Sequence, residues 1–99
     1  MISTSVFHSP YAYANDFEVL MKVWDQKRTL ATESLLDAEK YLKQGDKAKG
    51  CASQRKASRY GIEATESLVK AMKINGSTEG LQGFESGLNK WRELGDFCE

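Results

Sequence analysis

The sequence predicts an all-α protein. It reads as an antiparallel helical hairpin over about 16–44 and 52–73, with a shorter third helix over about 78–94 and an aromatic N-terminal arm over 1–14. Three observations predict this. Apolar and small residues step by three and four through most of the chain after residue 16. Turn signals interrupt that pattern at Gly45–Gly50 and at Asn75-Gly76. No strand-like alternation of any length appears beyond the first few residues. With 99 residues the chain is one domain with a modest core.

Two helix starts compete at the N-terminus. Ser9-Pro10 offers a cap followed by proline at the first helical position. Asn15 and Glu18 have capping-box spacing. The second is preferred, which begins the main helix at Asp16. Its stripe is Phe17, Leu20, Trp24, Ala31, Leu35, Ala38 and Leu42, widened by Val19, Val23 and Leu30. Lys27 falls in the one gap, where its stem can lie along the seam and its charge reach water. Gly45 suits the left-handed position after a helix, and Lys43 sits where the helix dipole favours a cation.

The second helix carries Ala57, Gly61, Ala64, Leu68 and Ala71, flanked by Tyr60, Val69 and Met72. Asn75-Gly76 stops it. In the third segment Leu81, Phe84, Leu88 and Trp91 form a stripe, and Gly95 reads as its stop. Gly80, Gly83 and Gly87 lie within it, each costing about 1 kcal/mol relative to alanine. Fraying is the preferred reading of these glycines over close approach of another backbone.

One phrase occurs twice. Residues 31–40 read ATESLLDAEK and residues 64–73 read ATESLVKAMK. The expectation is that Ala and Leu of each copy face inward, while Thr, Glu and Ser turn outward or sit on the flank. The match fails outside those ten positions, so it is not a solenoid repeat. It reads as convergence on a helix-packing pattern.

The formal net charge is +0, which gives no global reason for nucleic acid or a membrane surface as partner. No apolar run is long enough to span a bilayer. The N-terminus shows no signal-peptide h-region, so the chain is read as cytoplasmic. Cys51 and Cys98 read as free thiols, with a single bridge pinning the tail as the alternative.

Chemistry-bearing motifs are few. The Gly45-to-Gly50 spacing mimics a phosphate-binding loop, but Cys51-Ala52 stands where Lys and Ser or Thr are needed. His8 is the single histidine and no metal motif surrounds it. Glu63 and Glu66 read as solvated charges rather than an acid/base pair. Arg55-Lys56-Ala57-Ser58 has the form of a basophilic kinase site, but such short patterns are common. An enzyme is not expected, and no cofactor is implied.

Two function classes remain. The first is a helical interaction or oligomerisation module, an accessory or regulatory protein that binds itself and another protein. Its interface candidates are Phe17, Leu20, Trp24, Ala31, Leu35, Ala38, Leu42, Ala64, Leu68, Phe84 and Trp91. The second is a binder of a small anionic ligand, such as a nucleotide, or of nucleic acid through the basic window 43–59. Lys47, Lys49, Arg55, Lys56 and Arg59 would hold phosphate, and Tyr11 or Tyr13 would stack on a base. In length and hairpin the chain resembles small secreted helical-hairpin proteins with a Trp-x-Gly turn. Its own turn, Gly45-Asp46-Lys47-Ala48-Lys49-Gly50, has no tryptophan, and nothing is carried over.

Overall fold

Steps of three and four put small and apolar residues on one stripe of each segment, and the chain folds into the three helices those stripes demand. A computed structural model describes residues 10–77 and 79–98, with side chains from residue 16 onward. The helices are α1 (Pro10–Lys43), α2 (Lys47–Ile74) and α3 (Leu81–Asp96). The described residues contain no strand.

α1 begins at Pro10 and not at Asp16. Proline suits a first helical position because its missing N–H would have no partner there. Residues 10–14, expected in the arm, are therefore helical, while residues 1–9 lie outside the described part.

α1 and α2 end in the same way. After α1, Gly45 takes φ 82°. Its N–H donates to the Leu42 carbonyl, and the Asp46 N–H donates to the Tyr41 carbonyl. After α2, Gly76 takes φ 77°. Its N–H donates to Lys73, and the Ser77 N–H donates to Met72. Both are Schellman closures, in which two otherwise orphaned carbonyls gain donors.

The first turn is shorter than expected. α2 starts at Lys47, because Asp46 caps it by accepting the Lys49 N–H at 3.1 Å. Gly50 is therefore a buried residue inside the helix and not a stop. α3 is also displaced from the expected 78–94. It starts after Gly80 and runs through Gly95 to Asp96.

α2 is the central helix. Among the described residues α1 and α3 each pack against it and not against one another. The molecule is elongated, 60 × 31 × 17 Å. The buried apolar residues are Ala31, Ala38, Ala57, Ala64 and Ala71. Among the described residues no large side chain is fully buried.

Candidate functional site

The α1–α2 seam is made of small residues. Ala31, Ser34 and Ala38 of α1 are buried, as are Gly50, Ala57, Ala64, Ser67 and Ala71 of α2. The repeated phrase explains the pattern. In each copy the first Ala, the Ser and the last Ala are buried: Ala31, Ser34, Ala38 and Ala64, Ser67, Ala71. This corrects the expectation that the serines face outward or flank the seam. Leu35 and Leu68 instead sit half-buried. Two backbones that approach closely leave no room between them for leucine, so leucine moves to the edge and serine fits inside.

A serine in that position needs a partner for its hydroxyl. Ser67 Oγ donates to the Leu20 carbonyl of α1 at 2.7 Å. The seam also carries Lys27. Its Nζ lies 3.0 Å from Glu63 Oε1 and 5.3 Å from the centre of the Tyr60 ring. Glu63 is thus half-buried and paired, not a freely solvated charge; Glu66 is exposed as expected. The two copies of the phrase do not face one another. Ser67 meets Leu20, Lys27 meets Glu63, and Gly50 receives the side chain of Leu42.

The α2–α3 seam is different in kind. Gln54 Nε2 donates to the Leu94 carbonyl at 3.0 Å, and Ser58 Oγ donates to the Trp91 carbonyl at 2.6 Å. Leu94 lies in the last turn of α3, where carbonyls lack partners within the helix, so Gln54 acts as a cap from outside. The Trp91 indole lies directly on Gly61, where any Cβ would overlap it. Gly95 brings α3 close to Ser58, and a Cβ there would lie 2.6 Å from Ser58 Oγ. Below these contacts Cys51 is bonded to Cys98, with their Cα atoms 5.4 Å apart. The expected free thiols are therefore absent, because the end of α3 returns to the first turns of α2. Gln54 and Ser58 did not stand out in the sequence. Both are polar and so read as outward, although Gln54 shares the helical phase of Gly61, seven residues on.

The interface candidates divide in two. Ala31, Ala38 and Ala64 are used inside the hairpin. Phe17, Leu20, Trp24, Leu35, Leu68, Phe84 and Trp91 are half-buried, and Leu42 is exposed. More apolar surface lies open at Val19, Leu30, Leu36 and Ile74, and Phe97 is 84% exposed.

The basic residues Lys47, Lys49, Arg55, Lys56 and Arg59 are all exposed along α2. They occupy helix and not a turn. The N-terminus of α2, where an anion would bind, already holds the Asp46 carboxylate. Lys49 lies over the Tyr41 ring at 5.7 Å and Arg59 over Tyr60 at 5.4 Å. The side chains of Tyr11 and Tyr13 lie outside the described residues. Their backbone opens α1, at the end of the hairpin remote from the start of α2. His8 also lies outside the described part.

Among the described residues no three His, Cys, Asp or Glu side chains converge as a metal site. No helix among them is long and apolar enough to cross a membrane. The surface depressions are open grooves, such as that lined by Gly87, Lys90, Trp91 and Leu94. No protein-family model, curated protein or solved structure matches the chain.

Proposed function

We propose that this chain is a non-enzymatic helical interaction module, an accessory or regulatory protein that completes its core against a second copy of itself. One observation carries the reading: every described apolar side chain larger than alanine remains partly exposed. A small domain gains most of its stability from burying such groups, at roughly 25 cal/mol per Å². Here the alanine seam holds the helices in register, while the leucines, methionines and aromatics at its edges remain only partly covered. Pairing with a second subunit would cover them. α1 adds to the argument, since its 34 residues outrun the 28 of α2.

The reading extends to the compartment. Disulfides persist in oxidising surroundings and are rare in the cytosol. The Cys51–Cys98 bond therefore favours an oxidising compartment over the cytoplasm expected from the sequence.

Native mass spectrometry of gently purified protein tests the reading, together with thermal unfolding at several protein concentrations. The expected result is a homodimer or higher symmetric oligomer whose Tm rises with concentration. A monomer with the same Tm at every concentration would overturn it. Retained mass of nucleotide size, lost on neutralising Lys47, Lys49, Arg55, Lys56 and Arg59, would transfer the function to ligand binding.

A further inference from the structure

The contacts of α3 are unevenly distributed. No residue of α3 is buried. Gly83 and Gly87 weaken its middle, and nothing lies within 4 Å of where their Cβ atoms would be. Its polar anchors lie in the last turns, at the Trp91 and Leu94 carbonyls, and the covalent one, Cys98, follows two residues past its end. The turn before it is built on two glycines with positive φ, Gly76 and Gly80. The α1–α2 hairpin, by contrast, has its own continuous seam and uses no residue of α3.

We infer that the Cys51–Cys98 bond is a redox latch that fixes α3 to α2, and that a dithiol reductant opens it. Cys51 and Cys98 are both partly exposed, so a thiolate from solvent can reach the bond. Lys47 and Arg55 lie one helical turn to either side of Cys51, on the same face of α2. Positive charge on that face attracts an incoming thiolate. The attacking thiolate forms a mixed disulfide with Cys98 Sγ, and Cys51 leaves as a thiolate and takes up a proton. The second thiol of the reductant then attacks its own sulfur in the mixed disulfide and releases Cys98 as a thiol. Two electrons and two protons pass to the protein, and the reductant becomes its disulfide.

Opening leaves the hairpin standing. It uncovers the strip of α2 that holds Gln54, Ser58 and Gly61, together with the inner face of Trp91. The latch is open where thiols are kept reduced and closed in an oxidising compartment, so the chain presents different surfaces in the two. This inference does not depend on self-association.

Hydrogen exchange by mass spectrometry on the full chain tests it, oxidised and after dithiothreitol. A Cys51→Ser/Cys98→Ser variant serves as the permanently open form. Expected is exchange at least roughly ten-fold faster over Leu81–Asp96 on reduction, given the typical contribution of a disulfide. Peptides of α1 and of the α1-facing side of α2 should keep their protection, and the double variant should match the reduced parent. Unchanged protection of α3 would overturn the latch. So would loss of protection in all three helices, which would make the bond a general staple. Free thiols at both positions in protein isolated from an oxidising compartment would overturn it as well.

Discussion

Gly61 shows how one missing side chain positions a helix. The Trp91 indole occupies the space a Cβ would need, so Gly61→Ala must push α3 away. Overpacking of this kind costs about 1–3 kcal/mol. The expected outcome is a lower urea midpoint, with the Trp91 fluorescence shifted toward that of a solvated indole. Gly87→Ala is the control, since its new methyl would meet nothing within 4 Å. A different residue-scale effect follows at Glu39. The hydrogen bond from Lys43, followed by the attraction of its charge, holds the Glu39 carboxyl below its usual range. A depressed carboxylate stabilises the fold above the unfolded pKa and loses that contribution as pH falls through the folded one. Helix content should therefore decline slightly more steeply with acid, between about pH 5 and pH 3, in the parent than in Glu39→Gln. The effect is small because the pair is exposed to solvent. Equal acid titrations of helix content would contradict it.

At the scale of the element, α3 is the weak member and the reason is local. Gly83 and Gly87 have ordinary φ and no close neighbour, so neither serves a turn or a tight contact. Replacing either by alanine should stabilise α3 by about 1 kcal/mol. Slower hydrogen exchange across Leu81–Asp96 would register the gain. No gain would mean that a partner backbone occupies the open space in solution. α1 and α2 have no such weakness. Their Schellman closures at Gly45 and Gly76 are the features most readily read from the sequence, because positive φ strongly favours glycine.

At the scale of the whole molecule, the chain is a two-seam assembly around α2 with no closed centre. The prediction at this scale rests on the proposed self-association: Leu35→Asp should dissociate the proposed oligomer or unfold the chain, because it puts a charge on the half-buried flank of the hairpin. Sedimentation of the variant beside the parent checks this. A folded assembly of unchanged size would rule Leu35 out of the interface. Under the proposed self-association, a second copy would cover the apolar edges that flank the alanine seam.

The sequence by itself determined that there are three helices, their order, and where α1 and α2 stop. These depend on local rules: steps of three and four, caps, and glycine at positive φ. The starts of α1 and α2 shifted because Pro10, Asp46 and Gly50 each have two local readings, and α3 runs past Gly95 because that glycine does not take the positive φ of a helix stop. Tertiary structure decided which member of the repeated phrase goes inside. Periodicity alone cannot separate Ser34 from Leu35 or Ser67 from Leu68, since one lies three and the other four residues after a seam alanine, and both spacings flank the same face. The distance between the helix axes makes the choice, and it selects serine because the seam admits only small side chains. Tertiary structure also joined Cys51 to Cys98 and set Gln54 and Ser58 against the end of α3. These partners lie 47, 40 and 33 residues apart, and no local pattern encodes contact across such a span until α3 folds back along α2.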